Sequence, residues 1–292
     1  MKEILRKTYY ATLRFLPKKL VVNMENFFAY KKFVSKKHPK YFGEKIQWLK
    51  LYGNLEQYND YVDKYLVRNY IEKKIGKEHL IPLLGVYDKA EEINYDKLPN
   101  QFVLKLNNGS GCNLIVKDKS KLNIAKTNKK LNKWLKLDYS KIKKEAQYKN
   151  IERKLLCEKY MVDKNGQLLD YKYFCFNGKP EFVKVDFDRF TRHEANYYDT
   201  NWNLQSFKER KVGGIYENYH GKFEIPKNAD KMLAIAKKLC QDFQFVRVDL
   251  YNVDGKIYFG ELTFTPASGR NPFAPLEQDL KIAKKIKAGY EK

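Results

Sequence analysis

With 292 residues, 43% of them apolar and 15% aromatic, the chain suffices for one large domain or two modest ones and is too hydrophobic to be disordered. Its 58 Lys and Arg against 35 Asp and Glu give a formal +23, which draws anions: nucleic acid, nucleotide, acidic sugar polymer or an anionic membrane face. No apolar run approaches the ~20 residues of a spanning helix; Cys112, Cys157, Cys175 and Cys240 lack CxxC or zinc spacing and read as free, buried thiols in a reducing compartment.

In "MKEILRKTYYATLRFLPKKLVV", Ile4, Leu5, Thr8, Tyr9, Thr12, Phe15 and Leu16 recur at helical spacing, while Arg6, Lys7 and Arg14 interrupt any signal-peptide core. That predicts an amphipathic helix, packed on its own domain or lying weakly on a membrane surface, in a cytoplasmic protein. Residues 1–60 read as a helical, aromatic-rich segment. "DYVDKYLVRNYIEKKIG" predicts one helix over 60–76, closed by Gly76, and "HLIPLLGVY" a strand. "FVLKL" and "NLIVK" around "NNGSGC" predict a hairpin, followed by a polar helix over 122–137 and a strand in "KLLCEKYM". A second hairpin, "LDYKYFCF" with "PEFVKVDF", turns at Asn177 and Gly178. The polar stretch 188–226 has little periodicity and reads as a mobile loop. "NADKMLAIAKKLCQDF" is an amphipathic helix with Asn228 as N-cap.

The last hairpin, "VRVDLYNVDGKIYFGELTFTPASG" (246–269), carries Arg247, Asp249 and Glu261 inside apolar strands, where a charge is costly unless neutralised. A three-residue loop closed by Asn252 and Lys256 would set Arg247 opposite Glu261 and Asp249 opposite Phe259, grouping the charges on one face. A loop one residue shorter would part them. Arg247 relieves some of the repulsion; the rest requires a cation or a raised pKa, and magnesium suits one or two carboxylates. The alternative is a solvent-facing Arg–Glu pair. Lys105 precedes Asn108, Gly109, Ser110 and Gly111, a turn able to cradle an anion, with Lys117 on the return strand. Ordinary hairpins also use such turns, and no Walker triplet is present.

The strings "DKYLVRNYI", "IPLLGVYD", "LPNQFVLKLNNGSGCNLIVKDKS", "DYKYFCFNGKP", "DRF" and "VRVDLYNVDGKIYFGELTFTPASG", from about Asp60 to Pro275, together resemble the ATP-grasp superfamily. Within it they are similar to the TupA-like branch found with bacterial surface-polysaccharide (teichuronopeptide-type) genes. The resemblance implies an α+β fold whose two subdomains clasp MgATP: a helical segment over 1–60, a small subdomain with phosphate flap over 61–158, and a C-terminal subdomain with the metal site over 159–292. It assigns phosphate contacts to Lys64 and Lys105, the flap to Gly109, Ser110 and Gly111, and the adenine-reading hinge to Glu158, Lys159 and Tyr160. It gives the ribose to Asp170, with Lys172 also among the nucleotide residues, and the γ-phosphate to Arg189. Transferred phosphate and acyl phosphate fall to Arg247, and magnesium to Asp249 and Glu261. Many ATP-grasp enzymes have Glu-x-Asn where this chain has Glu261-Leu262-Thr263, so Thr263 stands as the third metal ligand and weakens the second metal site.

The implied activity is an ATP-dependent carboxylate–amine ligase working through an acyl phosphate. Its carboxylate would be a uronate of a surface polysaccharide or precursor, its co-substrate an amine donor. His193 and His220 either bind substrate or are solvated loop residues. A glycosyltransferase is the alternative, "DFD" at Asp186–Asp188 being the nearest approach to a metal–nucleotide motif. A nucleic-acid-binding protein is a third reading, which the core-like placement of the aromatics disfavours.

Overall fold

In the computed structural model the described residues are 13–164, 166–187, 193–211 and 214–289, so Arg189, Asp188 and residues 1–12 of the expected first helix lie outside them. The fold is α+β. Two helices, α1 (Lys18–Tyr30) and α2 (Phe42–Tyr52), lead into a short helical turn, α3 (Asn59–Val62), and α4 (Val67–Ile75). The single helix expected over 60–76 is therefore broken at Asp63–Leu66. The Asp63 carboxylate accepts the N–H groups of Tyr65 and Leu66 at 2.7 and 3.2 Å. The Lys64 N–H leaves the helix to donate to the Asn107 carbonyl at 2.9 Å. A side-chain cap thus replaces the helical ladder and turns Lys64 toward a distant loop.

The first sheet is antiparallel, ordered β1 (Leu83–Tyr87), β4 (Leu155–Lys159), β2 (Phe102–Leu106), β3 (Asn113–Val116). Phe102, Leu104 and Leu106 alternate inward onto α5 (Ile124–Leu135), where Leu131 and Trp134 bury the same face. Val103 and Lys105 point the other way. The "HLIPLLGVY" strand starts only at Leu83. A short helix, α6 (Tyr139–Lys143), precedes β4 and lays Tyr139 beneath the glycine loop.

The second sheet has five antiparallel strands in the order β11 (Lys256–Thr263), β10 (Phe245–Val253), β5 (Asp170–Phe176), β6 (Lys179–Phe187), β7 (Glu194–Asp199). One face is apolar throughout: Tyr171, Tyr173, Val183, Val246, Val248 and Leu250 pack on α7 (Ala229–Cys240). The opposite face changes character along its length. At one end Phe174, Phe176, Phe182 and Phe245 pack on Phe42 and Ile46 of α2 and on α8 (Leu276–Ala283). Continuing along the same strands, the residues that follow on that face are Lys172, Asp170, Lys184, Asp186, Arg247 and Asp249.

The segment expected to be a mobile loop over 188–226 supplies β7, whose residues are mostly buried, and two strands of a small third sheet ordered β12 (Phe273–Ala274), β8 (Lys208–Lys211), β9 (Gly214–Ile215). Asn228 begins α7 without a side-chain cap bond. Its amide instead donates to the Gly255 carbonyl at 2.7 Å and its oxygen accepts from Asn252 at 2.6 Å, pinning the helix to the last hairpin. The four cysteines are free and buried. Among the described residues no helix is long and apolar enough to cross a membrane.

Candidate functional site

Strands β10 and β11 turn on Asp254 and Gly255 alone, with φ of 50° and 86°, and Val253 pairs with Lys256. Two left-handed residues suit a two-residue hairpin. The expected three-residue loop is therefore wrong by one, which alone would part Asp249 from Glu261. A β-bulge restores the parity: Leu250 pairs with Phe259 but Asp249 pairs with Glu261, leaving Gly260 as the extra residue. Arg247 accordingly lies opposite Thr263, not Glu261, and Asp249 opposite Glu261, not Phe259. A Cβ on Gly260 would come within 3.0 Å of the Asp249 carbonyl oxygen, so the close strand approach favours glycine.

Arg247 joins the acids. Its Nε and Nη2 donate to the two Asp249 oxygens at 2.7 and 2.6 Å, and Nη2 also reaches Glu261 Oε1 at 2.9 Å and Thr263 Oγ1 at 3.1 Å. Thr263 Oγ1 donates to Glu261 Oε1 at 3.0 Å. Asp249 is 3% exposed and Glu261 40%, because Glu261 borders open space. Burial pushes Asp249 up to about 7 against the pull of Arg247 and Lys172, with Glu261 adding to the rise. Burial also raises Glu261, but Arg247, Lys64 and Lys172 outweigh it and bring it to about 2. The two acids divide into one readily protonated and one firmly ionised, as paired carboxylates do.

Beside them lies a ladder of alternating charge. Lys172 bridges Asp170 and Asp186 at 2.6 and 2.7 Å, and Lys184 bridges Asp186 and Glu209 at 3.4 and 2.7 Å. His193 Nε2 lies 3.0 Å from Asp186, so it belongs to this network and is not a solvated loop residue; His220 is exposed. Asp186, the described half of the "DFD" motif's acid pair, is held ionised by Lys184, Lys172 and His193 against its burial.

The first sheet faces this ladder. Lys105 and Glu158 pair at 2.5 Å on neighbouring strands. Lys64 Nζ donates to the Gly109 carbonyl at 2.6 Å, tying the broken helix to the glycine loop. Burial lowers the Lys64 pKa, with Glu261 opposing it. Asn107 positions both parts: its amide donates to Asp63 at 2.8 Å and its oxygen accepts the Lys154 N–H at 2.9 Å. Gly109, at φ 75°, rests directly on the Tyr139 ring, whose hydroxyl donates to the Ser110 carbonyl; Gly111, at φ 83°, has open space around it.

Lys64, Lys105, Gly109, Ser110, Gly111, Glu158, Asp170, Asp249 and Glu261 all line one narrow cavity of about 110 Å³. Lys105, Glu158 and Asp170 also border an adjoining cavity of about 710 Å³ that adds Lys117, Lys159 and Tyr160. Lys172, Arg247 and Thr263 stand behind the walls, bracing acids that line them. The sequence assigns no role to Arg68, Tyr148 or Tyr251, which line the narrow cavity. Arg68, one helical turn beyond Lys64, and Tyr251, two residues beyond Asp249, were legible from spacing; Tyr148 was not.

The larger cavity, walled by Ile81, Val103, Ile115, Met161 and Leu169, has the size and apolar lining of a small-molecule site. It adjoins the narrow cavity lined by Lys64 and the glycine loop, an arrangement that suits a flat apolar ring at one end and phosphates at the other. Among the described residues no three His, Cys, Asp or Glu side chains are grouped for a metal. The Asp249–Glu261 pair nevertheless suits magnesium, which takes one or two carboxylates and completes its shell with water and phosphate oxygens.

No curated protein matches the chain. Similar solved structures include D-alanine–D-alanine ligase from Bacillus anthracis, at 20% identity over 70% of this chain and 57% of that one, with a TM-score of 0.41. Phosphoribosylamine–glycine ligase from Thermotoga maritima aligns at 13% identity over 72% of this chain and 49% of that one, TM-score 0.43. A RimK-domain ATP-grasp protein from Sphaerobacter thermophilus DSM 20745 aligns at 11% over 79% and 69%, TM-score 0.43. The chain thus spans little more than half of the first ligase. The TupA-like ATP-grasp family description matches residues 44–287, which takes in both sheets and every side chain of the site, and the chain belongs to that family.

Proposed function

We propose that the chain is an ATP-dependent carboxylate–amine ligase that works through an acyl phosphate. The observation that carries this reading is the convergence of Arg247, Asp249, Glu261, Lys64, Lys105 and the 109–111 loop on one cleft beside a nucleotide-sized cavity. A carboxylate oxygen of the acceptor attacks the γ-phosphorus and the bond to ADP breaks. The amine then attacks the carbonyl carbon, the carbon–oxygen bond to phosphate breaks, and the amine proton passes to solvent.

This chemistry is mainly positioning and charge neutralisation. Magnesium, held by Asp249, Glu261 and the Thr263 hydroxyl, would offset charge between the β- and γ-phosphates. Lys64 and Lys105 both place cations on the wall of the cleft. Lys105, paired with Glu158, and Arg247, paired with Asp249 and Glu261, are the cations that would turn to phosphate when nucleotide binds. The open space around Gly111 lets the loop fold over the phosphates. Asp170, at the border of both cavities, would take a ribose hydroxyl.

A uronate of a bacterial surface polysaccharide or its precursor is the acceptor we favour. The motivation is the family together with the formal +23, which favours an acidic partner. The test is ADP release with MgATP, an amine and a uronate-containing acceptor. Turnover that requires the acceptor and disappears in Glu261→Ala supports the proposal; a chain that does not bind MgATP sinks it.

A further inference from the structure

Helix α1 is apolar on two sides and buries only one. Val21 and Val22 face the interior, whereas Leu20 is 47%, Phe27 43% and Phe28 67% exposed. The loop after the helix adds Phe33 at 69%, and Phe15 just before it is 75% exposed. All four exposed phenylalanines among the described residues therefore lie between positions 15 and 33. Phe27 meets Phe28 and Phe33 at ring-centroid distances of 6.4 and 5.8 Å, so three of the rings form one patch. Isolated exposed apolar side chains are ordinary; a contiguous aromatic patch marks an interaction surface.

The charge around the patch has one sign. Between Leu13 and Gly43 stand eight Lys and Arg and one acid, Glu25. Glu25 is buried and neutralised by Lys50 at 2.8 Å, so it cannot balance the surface. Arg14, Lys31 and Lys32 lie over the rings of Phe15, Phe27 and Tyr41 at 4.4, 5.8 and 5.6 Å, which sets cations at the rim of the aromatic surface. Exposed Phe and Leu rimmed by lysine form the amphipathic arrangement that lies in a lipid interface, rings among the acyl chains and ammonium groups at anionic headgroups. A polyanion such as DNA would match the lysines but would leave Leu20 and the phenylalanine cluster in water.

We infer that the α1 face, from Phe15 to Phe33 with its ring of lysines, docks the protein on an anionic lipid bilayer. This surface lies outside the nucleotide cleft, and the inference does not depend on the ligase reading. The test is co-sedimentation of the full chain with vesicles of equal parts phosphatidylglycerol and phosphatidylcholine, against vesicles of phosphatidylcholine alone. Binding to the mixed vesicles is expected, with loss of about tenfold or more in Phe28→Ser/Phe33→Ser and in Lys31→Glu/Lys32→Glu. Melting temperature and MgATP binding are expected to be unchanged in both variants, because the altered side chains are exposed and remote from the cleft.

Absence of sedimentation, equal binding to uncharged vesicles, or variants that bind like the parent would overturn the inference. So would a DNA duplex competing the chain off the vesicles, or a concentration-dependent dimer that the same phenylalanine changes dissolve.

Discussion

Asp249 and Glu261 stand directly opposite each other only because Gly260 is an extra residue in β11. Without that insertion the two-residue Asp254–Gly255 turn would send Glu261 to the apolar face. Gly260→Ala places a Cβ 3.0 Å from the Asp249 carbonyl oxygen and 3.2 Å from the Tyr251 ring. The strands must shift, at a cost of roughly 1–2 kcal/mol. Urea denaturation is expected to report that loss, and a parent-like midpoint would mean that the bulge yields freely.

Arg247 is the cation that makes buried Asp249 tolerable beside half-exposed Glu261. Arg247→Met is expected to lower stability by about 3 kcal/mol, because Asp249 is then left buried without its partner. Adding Asp249→Asn should recover a good part of the loss while leaving nucleotide turnover absent. A single variant as stable as the parent would show that the pair is not held as described.

Gly109 and Gly111 share a positive φ, 75° and 83°, but have different surroundings. Gly109→Ala drives a Cβ into the Tyr139 ring, only 2.3 Å away, whereas Gly111→Ala meets nothing within 4 Å. The first should cost roughly 2–3 kcal/mol and the second about 1 kcal/mol, the latter from left-handed backbone strain alone. Thermal melts of the two variants check the order. Equal losses would count against Tyr139 as the floor of the loop.

Asp279 provides the pH dependence. Its carboxylate accepts the Phe42 and Phe273 N–H groups, each at 2.8 Å, and the Tyr30 hydroxyl at 3.2 Å. Burial nevertheless pushes it up to about 6. The folded chain therefore holds this proton more tightly than the unfolded one, whose Asp titrates near ~4. The neutral side chain favours folding at low pH, and that contribution is lost as pH rises through about 6. Asp279→Asn lacks the titration, so its stability relative to the parent should rise by up to about 3 kcal/mol between about pH 4 and about pH 7. Parallel stability curves would exclude it.

Short-range patterns carried much of this architecture. Alternation in "FVLKL" and "LDYKYFCF" identified the hairpins, and the charges in "VRVDLY" and "GELT" marked a shared face. The features that escaped depend on distant partners. Asp63 breaks its helix with support from Asn107, 44 residues on. Strand β7 reads as polar because Glu194 and Asn196 are buried; Asn196 exchanges two hydrogen bonds, each of 3.0 Å, with the Tyr219 backbone, which no local pattern displays. The bulge had a local mark, a glycine inside a strand, but the loop length and the insertion erred in opposite senses and cancelled. The grouping of charges on one face was therefore right while the pairing within it was wrong.

The aromatic and charged halves of one β-face share the same ribbons, with Phe174 paired to Arg247 and Lys172 to Asp249. Tampering with either half will reach the other through the backbone, so a screen for altered specificity aimed at β5 or β10 would return mostly misfolded clones. Diversity is better introduced along the rim, at Arg68 or Lys117, where a side chain can be exchanged without prising apart the scaffold behind the cleft.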